Sequence, residues 1–303
     1  MPKWITYSLF SLAFYGVWGV VSDHASNRIG PLPVQVLSAV GLVPVALVLF
    51  LSKDWKAGKN RRRGCAHALA TGLLAAGGTW TMFEAFSRGG EASTVIPLIC
   101  TYPILTVVLA RIFLKEKPNR VQLAGIVLAL VAIYLLAEIK LTGTGSAKWL
   151  PFAFLSLVFF GTSGITQKLS TTYVSTELST LVFTGAFAVV AVAIAATQTL
   201  DWKIPTAGVL EAIAVGLLFG LAILTQFAAY NYGSASVVTV LTSLSQVVTV
   251  ILGVVFLHQK MGGLKGAGIV IGLIAGVALS YEGKPQAAPE TSKKQEDLVP
   301  GKV

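Results

Sequence analysis

The longest apolar stretch of the sequence, 212–259, carries polar side chains at a regular interval. Thr239, Thr242, Gln246 and Thr249 recur at steps of three, four and three residues, which places them on one face of a helix. Hydroxyl and amide groups on such a face either bind a polar ligand or join neighbouring helices by hydrogen bonds. Both interpretations stay open for Gln246, and helix joining is favoured for the threonines.

An acidic side chain interrupts another apolar stretch. Glu84 follows Arg63 by about 20 residues, the length of one helical membrane crossing. A carboxylate inside a membrane could exchange a proton or face a cationic substrate. Near the membrane interface, the same carboxylate would pair with Arg88 one helical turn later or be solvated. The sequence leaves both interpretations open.

Four further residues could contribute to a binding site. Tyr102 could line a cavity or join helices, and Trp80 could stack on a substrate or anchor its helix at the membrane interface. Gln226 and Asn231 carry amides that could hydrogen-bond a polar ligand. The candidate substrate-binding residues are Trp80, Glu84, Tyr102, Gln226, Asn231 and Gln246.

The side chains that catalysis needs are poorly placed. The segment Gly161-Thr162-Ser163-Gly164 resembles the surroundings of an intramembrane serine nucleophile, but such a serine needs a histidine base nearby. The histidines are His24, His67 and His258, all near the ends of apolar stretches. Cys65 and Cys100 have no metal-ligand spacing and fit small buried residues. We expect no enzyme, no metal site and no cofactor.

Composition and charge spacing identify the elements that carry these residues. Hydrophobic residues make up 54% of the 303 and charged residues only 12%, which excludes an ordinary soluble domain. The stretches between charges mostly have the length of one membrane helix, and 212–259 has the length of two, with turn-forming residues at 230–234. The sequence predicts an all-α integral membrane protein with ten transmembrane helices.

The two halves of the chain resemble each other. A shift of 143 positions aligns 90–136 with 233–279 without a gap, and it pairs Gly90-Glu91-Ala92-Ser93 with Gly233-Ser234-Ala235-Ser236. Upstream the shift becomes 144 to 145 and pairs Gly16 and Gly19 with Gly161 and Gly164. A five-helix repeat enters the membrane in opposite directions in its two copies, so we expect two inverted repeats, a construction typical of secondary transporters.

These residues resemble a known family. The paired glycine elements, the segment Phe83-Glu84-Ala85-Phe86 before Gly90, and Leu114-Lys115-Glu116-Lys117 before Gly125 are similar to EamA-type members of the drug/metabolite transporter superfamily. The second copy departs from this pattern, with Gln259 where the first has Glu116. The resemblance covers about 4–281. It implies a bacterial inner-membrane carrier, often an exporter, for a small metabolite such as an amino acid.

Charge placement predicts orientation and partners. The net charge of +10 is concentrated after the second and fourth predicted helices, so the positive-inside rule places both termini in the cytoplasm. The basic residues thus orient the chain and meet membrane lipid, and we expect no nucleic-acid partner. A non-transporting membrane scaffold or regulator with the same fold is the alternative function. A proton and a second copy of the chain are further candidate partners.

The predicted organisation has four parts. Residues 1–137 form the first repeat, 138–148 a linker, 149–281 the second repeat and 282–303 a disordered cytoplasmic tail. Asp23, His24 and Lys168 lie near helix ends, where we expect them to extend to water. Gly268, Gly272 and Gly276 form a strip that permits close helix packing, within the bundle or in a dimer.

Overall fold

The computed structural model describes residues 1–52, 54–56, 58–89, 95, 98–136, 147–199, 204–257 and 262–281. Regular structure in these residues is helical, and one isolated antiparallel β pair joins Gly58 to Val174. The 138–146 part of the predicted linker and the predicted tail, 282–303, lie outside the described residues. The end of that linker continues into a 3-10 turn, Ala147–Trp149.

The described residues form twelve α-helices, numbered in chain order. They are α1 (Lys3–Ile29), α2 (Pro31–Gly41), α3 (Val43–Ser52), α4 (Arg61–Ser87), α5 (Tyr102–Leu109), α6 (Arg120–Leu136), α7 (Leu150–Tyr173), α8 (Thr176–Thr197), α9 (Thr206–Tyr232), α10 (Ala235–Ser243), α11 (Ser245–Leu257) and α12 (Gly263–Leu279). A π-helical turn, Ala110–Leu114, extends α5, and a 3-10 turn, Asp54–Lys56, follows α3.

Local sequence explains several helix ends. Gly30 adopts a positive φ of 86° between α1 and α2, and Pro31 then begins α2 at a position that needs no amide hydrogen. The Asn60 and Ser175 side chains cap the first turns of α4 and α8. The predicted break at 230–234 is confirmed, because α9 ends at Tyr232 and α10 begins at Ala235.

The helices have the length and apolarity of an integral membrane protein. Among the residues that the structure describes, six helices are long and apolar enough to cross a membrane: Lys3–Ile29, Pro31–Ser52, Leu150–Tyr173, Thr176–Thr197, Thr206–Tyr232 and Ala235–Phe256. Shorter apolar helices cover Tyr102–Leu114, Arg120–Leu136 and Gly263–Leu279. The 27-residue α4 carries three arginines at its start and Glu84 near its end. The count of ten crossings and their inversion stay predictions.

Serine hydroxyls make matching contacts in the two halves. Ser11 Oγ on α1 donates to the carbonyl of Ala222 on α9 at 3.0 Å. Ser156 Oγ on α7 donates to the carbonyl of Gly78 on α4 at 2.7 Å. The two serines are 145 positions apart and their acceptors 144, so the sequence repeat is reproduced as a repeated interhelical hydrogen bond.

Threonine hydroxyls repeat in the same way. Thr249 Oγ1 on α11 donates to the carbonyl of Gly16 on α1 at 2.9 Å. Thr106 Oγ1 on α5 donates to the carbonyl of Gly161 on α7 at 2.8 Å. A methyl group added at either glycine would collide with a facing side chain, so each hydrogen bond depends on a small residue.

Close helix approach at other glycines follows the repeat as well. A methyl group on Gly216 of α9 would overlap the Ser38 carbonyl of α2, and one on Gly72 of α4 would meet the Phe183 carbonyl of α8. In α6 and α12, Gly125 lies against Leu279 and Gly268 against Leu136. The glycine strip of α12 therefore packs within this chain at Gly268.

These contacts assemble each bundle from both halves of the chain. The first bundle combines α1, α2 and α3 with α9, α10 and α11, and the second combines α4 and α5 with α7 and α8. Helices α6 and α12 pack against each other and also contact α10 and α11 of the first bundle. Each bundle thus takes its first helices from one sequence repeat and its last helices from the other.

The helix assembly has two ends, and each is called after one residue that lies there, Trp4 or Glu84. At the Trp4 end, Tyr7 stacks on Tyr232 at 6.0 Å between ring centroids, and Asn119 Nδ2 donates to the Tyr281 carbonyl at 3.1 Å. At the Glu84 end, Arg28 of α1 faces Glu211 of α9 at 3.4 Å.

Candidate functional site

A chain of polar side chains connects α1, α9 and α10 in the interior. The Tyr15 hydroxyl donates to Gln226 Oε1 at 3.0 Å, and Gln226 Nε2 donates to Thr242 Oγ1 at 3.2 Å. Gln226 is 7% exposed and Thr242 2% exposed. A buried amide costs free energy unless it is hydrogen-bonded, so this chain fixes the Gln226 rotamer.

A second pair extends the same polar region. The Tyr230 and Thr239 hydroxyls lie 2.6 Å apart, and both side chains are fully or almost fully buried. Tyr102 of α5 lies near the Tyr15 and Tyr230 hydroxyls. We call Tyr15, Gln226, Tyr230, Thr239 and Thr242, together with Tyr102, the central polar cluster. It lies where the two bundles face each other.

Gln246 lies beside the central polar cluster. Its side chain lies close to the Cys100 thiol, which precedes α5. Gln246 is in the first bundle and Cys100 leads into the second, so this contact also bridges the two. Thr249, the last member of the predicted stripe, instead bonds the Gly16 carbonyl. The helix-joining interpretation therefore describes Thr239, Thr242 and Thr249.

Two predicted site residues lie away from the central polar cluster. Asn231 is exposed in the last turn of α9. Trp80 is 48% exposed and lines a recess of about 250 Å³ between α4 and α8, together with Leu73, Ala76 and Val190. The structure brings together Tyr102, Gln226 and Gln246, and leaves Asn231 and Trp80 outside that group.

Glu84 forms an ion pair at the Glu84 end. Its Oε1 lies 2.7 Å from Arg88 Nη2 and accepts a hydrogen bond from Arg88 Nε at 2.8 Å. The Arg88 guanidinium also lies over the Phe152 ring, 4.2 Å from its centroid. The structure thus gives Glu84 the pairing with Arg88 that the sequence offered as one of its alternatives.

The expectation that Lys168 extends to water is wrong. Lys168 Nζ turns inward and donates to the carbonyls of Tyr230 and Gly233, the latter at 2.8 Å. The last carbonyls of a helix lack intrahelical donors, so the end of α9 offers strong acceptors to a nearby cation. Asp23 and His24 are exposed, as predicted.

A carboxylate that the sequence linked only to a family pattern proves to be a helix cap. Glu116 follows the π-helical turn and accepts hydrogen bonds from the first residues of α10. Its long-range partners, 119 and 120 positions away, leave no signal in the local sequence. The repeat itself offers a signal, because the two copies differ in charge at this position: Gln259 stands where the first copy has Glu116.

The chemistry of the central polar cluster is that of uncharged recognition. Phenol, hydroxyl and amide groups can donate and accept hydrogen bonds, and aromatic rings can stack on a planar ligand. Within the residues that the structure describes, no group of three or more His, Cys, Asp or Glu side chains could hold a metal ion.

Comparison with known proteins identifies the family. A model of the EamA-like transporter family matches residues 2–137 and again 147–281. The chain belongs to the EamA-like transporter family. The two matched segments correspond closely to the two predicted halves, so the family unit occurs twice in this EamA-like protein.

Individual relatives match over about one such unit. An uncharacterized protein of Methanocaldococcus jannaschii is 28% identical over 137 residues, which cover 45% of this chain and 98% of that protein. An uncharacterized transporter of Clostridium kluyveri is 24% identical over 139 residues, 45% of each chain. A crystal structure of a protein at 16% identity has a TM-score of 0.74 and covers 91% of this chain and 96% of that one, which shows a shared fold.

Membership settles the broad class of the protein. This EamA-like chain is a membrane transporter of the drug/metabolite transporter superfamily, which implies a small-molecule substrate and a membrane environment. The family is one of transporters and is generally non-enzymatic.

Proposed function

We propose that this EamA-like protein is a secondary carrier that moves a small polar metabolite, an amino acid or related compound, across the cytoplasmic membrane. The observation that carries the proposal is the central polar cluster, because its hydrogen-bonding groups lie buried where the two bundles meet. Binding between two packed units is what alternating access requires, since each unit must expose the same site in turn. Export is the direction that the family resemblance favours.

The two bundles are the units that move in this mechanism. Each is held by hydrogen bonds to helix carbonyls and by glycine contacts, which favour rigid-body motion over internal rearrangement. The ten crossings and the inverted relation of the two repeats are part of the proposal. The repeated serine and threonine contacts support them, because equivalent residues make equivalent bonds.

The substrate is proposed to be neutral or zwitterionic, with a polar or aromatic portion. The named side chains of the central polar cluster carry no formal charge. A fully charged ligand would lose its hydration without an opposite charge from these groups, which costs several kcal/mol or more. Tyr15, Tyr102 and Gln226 would bind such a ligand by stacking and by hydrogen bonds.

A flux assay tests the proposal. Proteoliposomes containing the full chain are loaded with a ¹³C-labelled polar metabolite extract, and mass spectrometry measures which compounds leave. We expect release of a small set of compounds, and release by Gln226→Met to be slower by about tenfold, the factor for one lost net hydrogen bond. Methionine is the residue at the equivalent position in the first half, Met82.

The control is Thr197→Val at the exposed end of α8, where the hydroxyl donates to the Ala193 carbonyl of its own helix. This variant should release the same compounds at the wild-type rate. If proteoliposomes with the wild-type protein release the compounds no faster than loaded liposomes without protein, transport of these compounds is refuted. Equal rates of metabolite release by wild type and Gln226→Met would show that the substrate does not pass through the central polar cluster.

A further inference from the structure

The turn between α9 and α10 is held by a lysine on one side. Lys168 of α7 donates from Nζ to the Tyr230 carbonyl and, at 2.8 Å, to the Gly233 carbonyl. These carbonyls lie at the end of α9, where the helix dipole is negative. The half-buried ammonium therefore meets fixed partial charges of opposite sign with limited screening by water.

The same turn is held on its other side by a carboxylate. Glu116 Oε1 accepts from the Ala235 amide at 2.6 Å, and Oε2 accepts from the Ser236 amide at 2.8 Å and the Ser236 hydroxyl at 2.6 Å. These amides begin α10, where the helix dipole is positive. Hydrogen bonds of this kind, with an ionised acceptor, are about twice as strong as neutral ones.

Both contacts cross from one bundle to the other. Lys168 is on α7, and Glu116 follows α5, so both come from the second bundle. The turn they hold belongs to the first bundle. A recess of about 190 Å³ lies beside the turn, lined by Trp4, Gln122 and Val237 among others, which leaves space into which the turn can move.

The Glu84 end is built differently. Its ion pairs join residues of the same bundle: Arg28 with Glu211 in the first, and Arg88 with Glu84 in the second. Asp23, the repeat equivalent of Lys168, is exposed. Gln259, the equivalent of Glu116, lies outside the described residues. The Trp4 end thus has two charge-assisted connections between bundles that these Glu84-end ion pairs do not provide.

We propose that Glu116 and Lys168 are the gate that closes the Trp4 end, and that release of both from the α9–α10 turn opens the central polar cluster to that side. The two residues act as positioning residues, since Lys168 bonds backbone carbonyls at the end of α9 and Glu116 bonds the first residues of α10. This inference rests on the proposed carrier function. It adds the contacts that must break when the carrier changes from facing one side of the membrane to facing the other.

Hydrogen–deuterium exchange of the full chain in lipid nanodiscs tests the gate. The variants are Glu116→Gln and Lys168→Met, alone and combined, with Lys117→Met as the matched control. Lys117 is exposed in the same loop as Glu116, and Lys117→Met removes the same positive charge as Lys168→Met. We expect amides of 233–240 to exchange about tenfold faster in either gate variant, the factor for one lost charge-assisted hydrogen bond.

The second expected change is at the opposite end. Opening the Trp4 end by motion of whole bundles closes the Glu84 end, so amides of 24–30 and 84–89 should exchange more slowly in the gate variants. A cap with only a local structural role would raise exchange at 233–240 alone. Faster exchange confined to that segment, or no change in either region, would overturn the proposal.

Metabolite release separates this inference from the proposed function. If the gate exists in a carrier, the double variant should release the compounds found for wild type at a rate altered several-fold, while Lys117→Met matches wild type. An unaltered rate in the double variant would also overturn the gate. Opposite exchange changes at the two ends in a protein that releases no compound would support the gate and refute transport of the compounds tested.

Discussion

The two halves of the chain are alike where helices pack and differ where ligands and gates would act. Thr106 and Thr249 are identical residues 143 positions apart, and each bonds a glycine carbonyl of the other half. In the central polar cluster, by contrast, Gln226 and Tyr230 stand opposite Met82 and Phe86 in the repeat. Packing therefore uses positions common to both copies, while these polar side chains of the central polar cluster occur in only one copy at their repeat positions.

The difference has a physical reason. A packing contact must fit at both of its repeated locations, because a larger side chain there separates two helices. A binding site lies near the centre of the molecule and needs its polar groups only once. The second copy can thus supply the amide of Gln226 and the phenol of Tyr230, while the first supplies the phenols of Tyr15 and Tyr102 from other positions.

The strongest test of the shared packing is a larger side chain at paired glycines. A methyl group on Gly216 would overlap the Ser38 carbonyl, and one on Gly72 would press on the Phe183 carbonyl. We expect Gly216→Ala and Gly72→Ala each to destabilise the protein by about 1–3 kcal/mol or more, because backbone atoms on both helices must separate. Thermal unfolding in detergent, followed by size-exclusion chromatography, measures the effect.

The matched control is Gly185→Ala, since a methyl group on Gly185 of α8 meets no atom within 4 Å. Its midpoint of unfolding should equal or slightly exceed that of wild type, because alanine favours a helix more than glycine. Loss of stability in only one member of the Gly216 and Gly72 pair would show that the two halves do not pack equivalently.

The paired threonines give a smaller and more quantitative test. Thr106→Val and Thr249→Val keep the side-chain shape and remove one interhelical hydrogen bond each. We expect each to lose about 0.6 kcal/mol of unfolding free energy, the average for such bonds in membrane proteins. Denaturant unfolding of the purified protein measures both values. Effects that differ by more than twofold would break the equivalence of the two sites.

The smallest expected effect belongs to Glu84, whose repeat equivalent is Ala228. Because Glu84 pairs with Arg88 one turn away at a partly exposed helix end, we expect Glu84→Gln to lower stability by about 0.3–0.5 kcal/mol. Metabolite release should keep the pH-gradient dependence of wild type, measured with and without an imposed gradient. Loss of that dependence would instead support the hypothesis that Glu84 carries a coupling proton.

Several predictions from the sequence correspond to described elements for clear reasons. Apolar stretches between charges predicted helices, because buried backbone groups in lipid must bond within the helix. The Tyr230–Ser234 break was recognisable from residues that favour turns, and α9 and α10 meet there. Gln226, Gln246 and Tyr102 stood out because polar groups are rare in such stretches, and the structure brings these three together.

Other features could not be predicted because they depend on contacts between distant residues. Tyr15 joins the central polar cluster through a partner 211 positions away. Lys168 had the sequence context of a helix-end lysine, and only the position of α9 decides that it turns inward. Asn231 and Trp80 had suitable chemistry, yet the rotation of their helices leaves both exposed.

By itself, the sequence determined that this protein is a repeated, apolar helical chain of the membrane, because hydropathy and repetition are written along the chain. Only the tertiary structure decided which helices pack together: each bundle combines helices from both halves. It also decided that Glu116 and Lys168 hold the ends of two helices across the boundary between bundles. Hydrogen bonds and dipoles act over a few ångströms in space, so residues 62 to 120 positions apart in the sequence can meet at one turn.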